Sequence, residues 1–127
     1  MSFLSKDQIL AAQDLPFRDV PVPEWKDSGG NPGMVRLAGL SAKEASVFSS
    51  KLVSVDAKGG IKELKMDNFL AELLARTIVN ENFEPIFSET DIEALGKKSA
   101  AVMKRLSDIA MELSGLSDAA LKDATKN

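Results

Sequence analysis

The sequence has no cysteine, no histidine and no tyrosine, and a single tryptophan. Without thiolate or imidazole the usual zinc and copper sites cannot be assembled, a cysteine nucleophile is excluded, and a serine has no imidazole to take its proton. Catalysis would have to run on carboxylates, lysines and hydroxyls. No disulfide can brace the fold, so burial must hold it, and a chain of 127 residues is long enough for that. The lack of cysteine agrees with a reducing compartment. No apolar run approaches the roughly 20 residues that cross a bilayer. Residues 1–10 (MSFLSKDQIL) lack the basic start and long apolar stretch of a secretion signal. Cytosolic residence is the expectation, with no membrane partner.

Sixteen basic residues against 19 acidic give a net charge of −3. A surface built to neutralise phosphates would carry the opposite sign, so nucleic acid is not an expected partner. An apolar share of 44%, a charged share of 28% and a mean hydropathy of −0.07 describe a folded soluble chain. A single domain over 1–127 is expected.

Ser5 and Gln8 have the spacing of a capping box, which predicts a short helix over 6–14. Pro16 then extends the chain. A strand over 17–25, a loop over 26–33 (KDSGGNPG) and a strand over 34–40 make a hairpin with a long tip. Ser41 and Glu44 form a second capping box, and Ala45, Phe48 and Leu52 recur behind it at helical spacing, so a helix over 42–53 is expected. Residues 56–60 (DAKGG) break it. Met66, Phe69, Leu70, Leu73, Leu74 and Ile78 fall on one helical face, opposite Asn68, Glu72, Arg76 and Asn80; this reads as the central core helix. Residues 88–91 (SETD) cap a short helix carrying Ile92 and Leu95, which Gly96 closes or bends. Val102, Met103, Leu106, Ile109, Ala110 and Leu113 form the stripe of a longer helix that Gly115 ends in a left-handed turn, with Leu116 as the accompanying apolar contact. Ser117 caps a last short helix through Leu121 and Ala124. The expected fold class is α+β, predominantly helical, with an N-terminal β-hairpin packed on a bundle of about four to five helices.

Two prolines punctuate the first strand. Successive residues of a strand point their backbone groups to opposite edges, so Pro21 and Pro23 strip donors from one edge while Val20, Val22 and Glu24 serve the other. The hairpin partner should pair with the valine edge, leaving the proline edge outermost and blunted against runaway strand addition. Trp25 either packs over the hairpin or anchors an interface. Pro21, Pro23 and Trp25 are the candidate oligomer or partner contact.

Other tempting stretches fail as sites. Gly29, Gly30 and Gly33 are followed by Met34, not by the Lys-Ser or Lys-Thr of a phosphate loop. Residues 96–99 (GKKS) lack the earlier glycine. Residues 56–60 lack the alternating ligands of a calcium loop. Glu89, Asp91 and Glu93 gather at a helix start, where acidic groups favour the dipole. Catalytic, cofactor-binding and metal residues are therefore all expected to be none, and no cofactor is expected.

The run Leu15-Pro16-Phe17-Arg18-Asp19-Val20-Pro21-Val22-Pro23-Glu24-Trp25, then Val35-Arg36-Leu37-Ala38-Gly39-Leu40-Ser41 with Glu44 opening a helix, resembles the tail assembly chaperones of long, non-contractile-tailed bacteriophages (siphovirus type). Phe87 to Ser99 (FSETDIEALGKKS) and Leu113-Ser114-Gly115-Leu116-Ser117 are similar to the same family. The tip over 26–33 departs from the pattern in being longer. The resemblance implies a non-enzymatic chaperone that holds the tape measure protein while tail tube subunits polymerise around it. It further implies a homo-oligomer, ring-like or helical, and residence in the host cell cytoplasm with absence from the mature virion. A longer product of ribosomal frameshifting that recruits the tail tube protein is implied as well. Two other classes fit the same blank chemistry: a small cytosolic adaptor or regulatory protein-binding module, and a hydrolase working with Asp, Lys and Ser alone.

Overall fold

The computed structural model describes residues 2–55, 61–64 and 68–116. The capping box of Ser5 forms: its hydroxyl accepts the Gln8 N–H at 3.2 Å, and the Gln8 side-chain oxygen accepts the Ser5 N–H at 2.9 Å. It opens helix α1 (Lys6–Ala11), which is shorter than the sequence suggested. Pro16 disfavours helical geometry at Leu15, and α1 buries no residue that would hold a further turn.

Strand β1 (Phe17–Lys26) pairs antiparallel with β2 (Pro32–Ala38), aligning Val20 with Val35 and Pro21 with Met34. Asp27 closes the tip, its carboxylate accepting the N–H groups of Gly29 and Asn31 at 2.9 Å each. The parity of the hairpin follows from the Gly39 N–H, which donates to the Pro16 carbonyl at 2.8 Å. In an antiparallel ladder that bonding recurs at every second pair, so Val20 and Val22 face β2 and the prolines face outward. Since β1 is an edge strand of the sheet, the proline edge pairs with no strand among the described residues.

The second capping box also forms, with Ser41 and Glu44 exchanging bonds at 3.2 Å each way. It starts helix α2 (Ala42–Leu52); Val53, expected in that helix, instead opens β3 (Val53–Val55), which pairs with β4 (Ile61–Leu64). The turn expected over 56–60, Met66, and the last helix capped by Ser117 lie outside the described residues.

The core helix α3 runs Phe69–Thr77. Ile78, expected to continue it, turns extended (φ −79°, ψ 120°) and forms strand β5 (Ile78–Val79), aligned with Leu37 and Arg36 of β2. The sheet therefore has three strands, in the order β1-β2-β5. Ile78, which finishes the helical stripe, and Val79 after it are both β-branched and suit a strand, and both are buried here. A 3-10 turn over Glu89–Asp91 leads to α4 (Ile92–Leu95), and Ser99 caps α5 (Ala100–Leu113).

The architecture is α+β with helix dominant. Val20, Val22 and Leu37 from the sheet meet Leu73, Leu74, Ile78, Leu106 and Ala110 in one core. The sequence leads one to expect the hairpin to pack on the helix carrying Phe69, Leu73 and Ile78, but it is α5 that lies directly on it. Gly39 permits the approach, since a Cβ there would stand 2.5 Å from the Leu113 carbonyl oxygen. Gly115 (φ 74°) ends α5 as expected, with the Leu116 N–H donating to the Met111 carbonyl at 2.7 Å.

Candidate partner-binding surface

Alternation along β1 divides the sheet into two faces. Val20 and Val22 point into the core, so Phe17, Asp19 and Pro21 point the other way, opposite Ala38, Arg36 and Met34 of β2. Among the described residues no helix packs substantially on this outer face. Phe17 is half exposed and Met34 is 67% exposed.

Asp19 and Arg36 stand directly across the two strands and form a two-pronged ion pair: Arg36 Nε donates to Asp19 Oδ1 at 2.7 Å, and Nη2 to Oδ2 at 3.0 Å. The hydrogen bonds from Arg36 hold the Asp19 carboxyl below its ordinary range, and Asp19 raises Arg36 in turn. The guanidinium also lies 4.7 Å from the Phe17 ring centre and 5.0 Å from that of Phe83, and the two rings meet edge to face at 5.0 Å. Arg36 is thus fixed from three sides.

Phe83 comes from the loop after β5. Asn80 organises that loop, its side-chain oxygen accepting the N–H groups of Asn82 at 2.8 Å and Glu84 at 3.0 Å. Val79 bridges to Pro85, which closes the loop at its base. Phe83 is left with φ 62°, a left-handed conformation uncommon for an aromatic residue, and with its ring half exposed. Ile86, also half exposed, joins Met34, Asp19 and Arg36 around an open depression of about 580 Å³. Sequence reasoning missed Arg36, Phe83 and Ile86 as members of a surface. The Asn-Glu-Asn run at 80–82 is the turn signal that could have marked the loop.

The three residues singled out from the sequence are separated by a bulge between Val22 and Lys26. Pro21 belongs to the outer face, opposite Met34, and Pro23 is exposed in the bulge. Trp25 is half-buried against the core and lines a hollow with Phe87, Ala94 and Leu95. Beside it Glu24 makes a fork with Arg105 of α5, at 2.9 and 3.0 Å, and that hydrogen bonding lowers the Glu24 carboxyl to about 2.

Among the described residues no helix is long and apolar enough to cross a membrane. The described residues form an α+β scaffold that gathers exposed apolar and aromatic side chains on one face of its three-stranded sheet. The sequence profile of the phage tail assembly chaperones matches residues 5–127, and the chain belongs to that family. Its fold is similar to that of the bacteriophage HK97 tail assembly chaperone, with a TM-score of 0.56 and 21% identity over 88% of this chain and 95% of that one. No curated protein matches the sequence.

Proposed function

We propose that this tail assembly chaperone acts without catalysis, by holding the tape measure protein in the host cytoplasm while the tail tube polymerises around it. The observation that carries the reading is the outer sheet face, where Phe17, Met34, Phe83 and Ile86 stay exposed around a fixed arginine. A long helical client presents apolar stripes, and a preformed apolar face with an aromatic and arginine centre suits them. Pro21 and Pro23 guard the strand edge beside that face, so a client can be covered without adding as a strand. Trp25, half-buried in the hollow with Phe87, Ala94 and Leu95, would make a separate contact away from that face. Tube subunits would be recruited by a longer, frameshifted product, and the chaperone would leave before the virion is complete.

Co-expression with the tape measure protein tests the proposal. A soluble complex that persists when salt is raised is expected, because screening acts on exposed charges and spares apolar burial. Met34→Glu should lose the complex while keeping its own thermal transition. A tape measure protein that stays insoluble beside the intact chain would promote the adaptor reading.

A further inference from the structure

Arg36 and Arg105 each close a two-pronged fork on a carboxylate, whereas Arg76, in the last turn of α3, reaches one only at 3.7 Å, from its Nε to Glu72 Oε2. That is beyond hydrogen-bonding reach. Both of those atoms are buried without a hydrogen-bond partner among the described residues, although the Arg76 side chain as a whole keeps 20% exposure. A partner that brings an acceptor to this guanidinium supplies a bond that the chain leaves unmade. Arg76 lines two hollows, one of about 670 Å³ and one of about 220 Å³, and Glu44 lines both with it. Glu44 accepts the Ser41 N–H on one oxygen, and among the described residues it forms no ion pair with Arg76. An arginine donor and a carboxylate acceptor thus border the same hollows without meeting. Phe17 and Phe83 of the outer sheet face also line the larger hollow, so it opens beside that face.

We propose that the larger hollow recognises a carboxamide, the side chain of an asparagine or glutamine on the helical client, its carbonyl oxygen accepting from the Arg76 guanidinium and its NH₂ donating to the Glu44 carboxylate. The inference rests on the reading of the outer face as the seat of that client. Chemistry selects the occupant. A carboxylate would pair with Arg76 but stand beside Glu44 and Asp14, which lines the same hollow, and like charges brought together are strongly disfavoured. An ammonium would pair with Glu44 but leave the Arg76 donors unmade and sit beside their charge. A carboxamide carries an acceptor and two donors with no net charge, so it serves both groups at once. On a helix whose apolar stripe lies over Phe17 and Phe83, a carboxamide roughly three or four residues along shares the stripe's side and enters the hollow. The pair would then set the register of the client, because a site built to hydrogen-bond one group rejects side chains that lack it.

The test is a titration of the full chain with propionamide, followed by nuclear magnetic resonance at the backbone amides of Glu44, Asn82 and Phe83, which line the hollow. Propionate and propylammonium, of similar size, are the controls. Propionamide should shift these resonances saturably at concentrations up to about 100 mM, the range open to a ligand of so few atoms, and neither control should. Arg76→Met should abolish the response while keeping the thermal transition, since no hydrogen bond from Nε is lost with it. On the intact chain, where folding of a variant is not in question, the absence of a saturable shift or an equal shift with either control overturns the carboxamide site. Arg76→Met should also weaken binding of the tape measure protein about tenfold or more, the usual effect of losing a hydrogen bond to a charged group; undiminished binding overturns the role in the client contact. Capture of the tape measure protein by an intact chain that gives no propionamide shift would overturn this inference alone. A propionamide shift in a chain that leaves the tape measure protein insoluble would overturn the functional reading and leave the carboxamide site standing.

Discussion

Arg36 joins the outer face as a single side chain. Its guanidinium is held by one carboxylate and stacked on two rings, so the face is rigid where it is most polar. Beneath the sheet, Leu73 and Leu106 are fully buried, at the centres of the stripes on α3 and α5. Truncating either to alanine should cost about 2–5 kcal/mol of stability, measured by chemical denaturation. Glu24 gives a pH dependence. Arg105 lowers its carboxyl from 4.5 to about 2, so the pair contributes above the unfolded value and the contribution is lost as pH falls from 4.5 towards 2. Thermal melts of the intact protein and Glu24→Gln should therefore differ near neutrality, by a small amount for so exposed a pair, and converge in acid. The buried stripes were legible because apolar periodicity reports burial directly. Phe83 was not, since its exposure depends on Asn80 closing a loop and on Arg36 reaching across from β2.

At the scale of elements, two capping boxes of the same chemistry sit in different surroundings. The Ser41 box opens α2, whose Phe48 is buried and lies 5.5 Å from the Phe69 ring. The Ser5 box opens α1, which touches no core. Ser41→Ala should lower global stability by about 1 kcal/mol, whereas Ser5→Ala should leave the thermal transition where it is, because α1 opens independently of the core. Calorimetry on both variants checks the contrast. Caps, proline edges and the Gly115 turn could be read in advance because each is local chemistry within a few residues. The end of α3 could not. Ile78 continues a helical stripe in sequence, and only the presence of β2 beside it makes a strand the better arrangement. The same holds for Val53, where pairing with β4 displaces the last helical turn.

At the scale of the whole molecule, the outer sheet face keeps Phe17, Met34, Phe83 and Ile86 exposed, and it is the face proposed for a helical client. Sequence parity placed Pro21 and Pro23 on the outer edge of the hairpin, but the bulge between Val22 and Lys26, beyond which Trp25 packs against the core, depends on how the hairpin tip closes. The central claim is that the client sits on the outer face. It is tested most directly by hydrogen exchange on the intact protein, free and bound to the tape measure protein. The account predicts new protection in peptides covering Phe17 to Val22, Met34 to Arg36 and Phe83 to Ile86. Protection confined to the exposed side of α5, with the outer sheet exchanging as in the free protein, would contradict it.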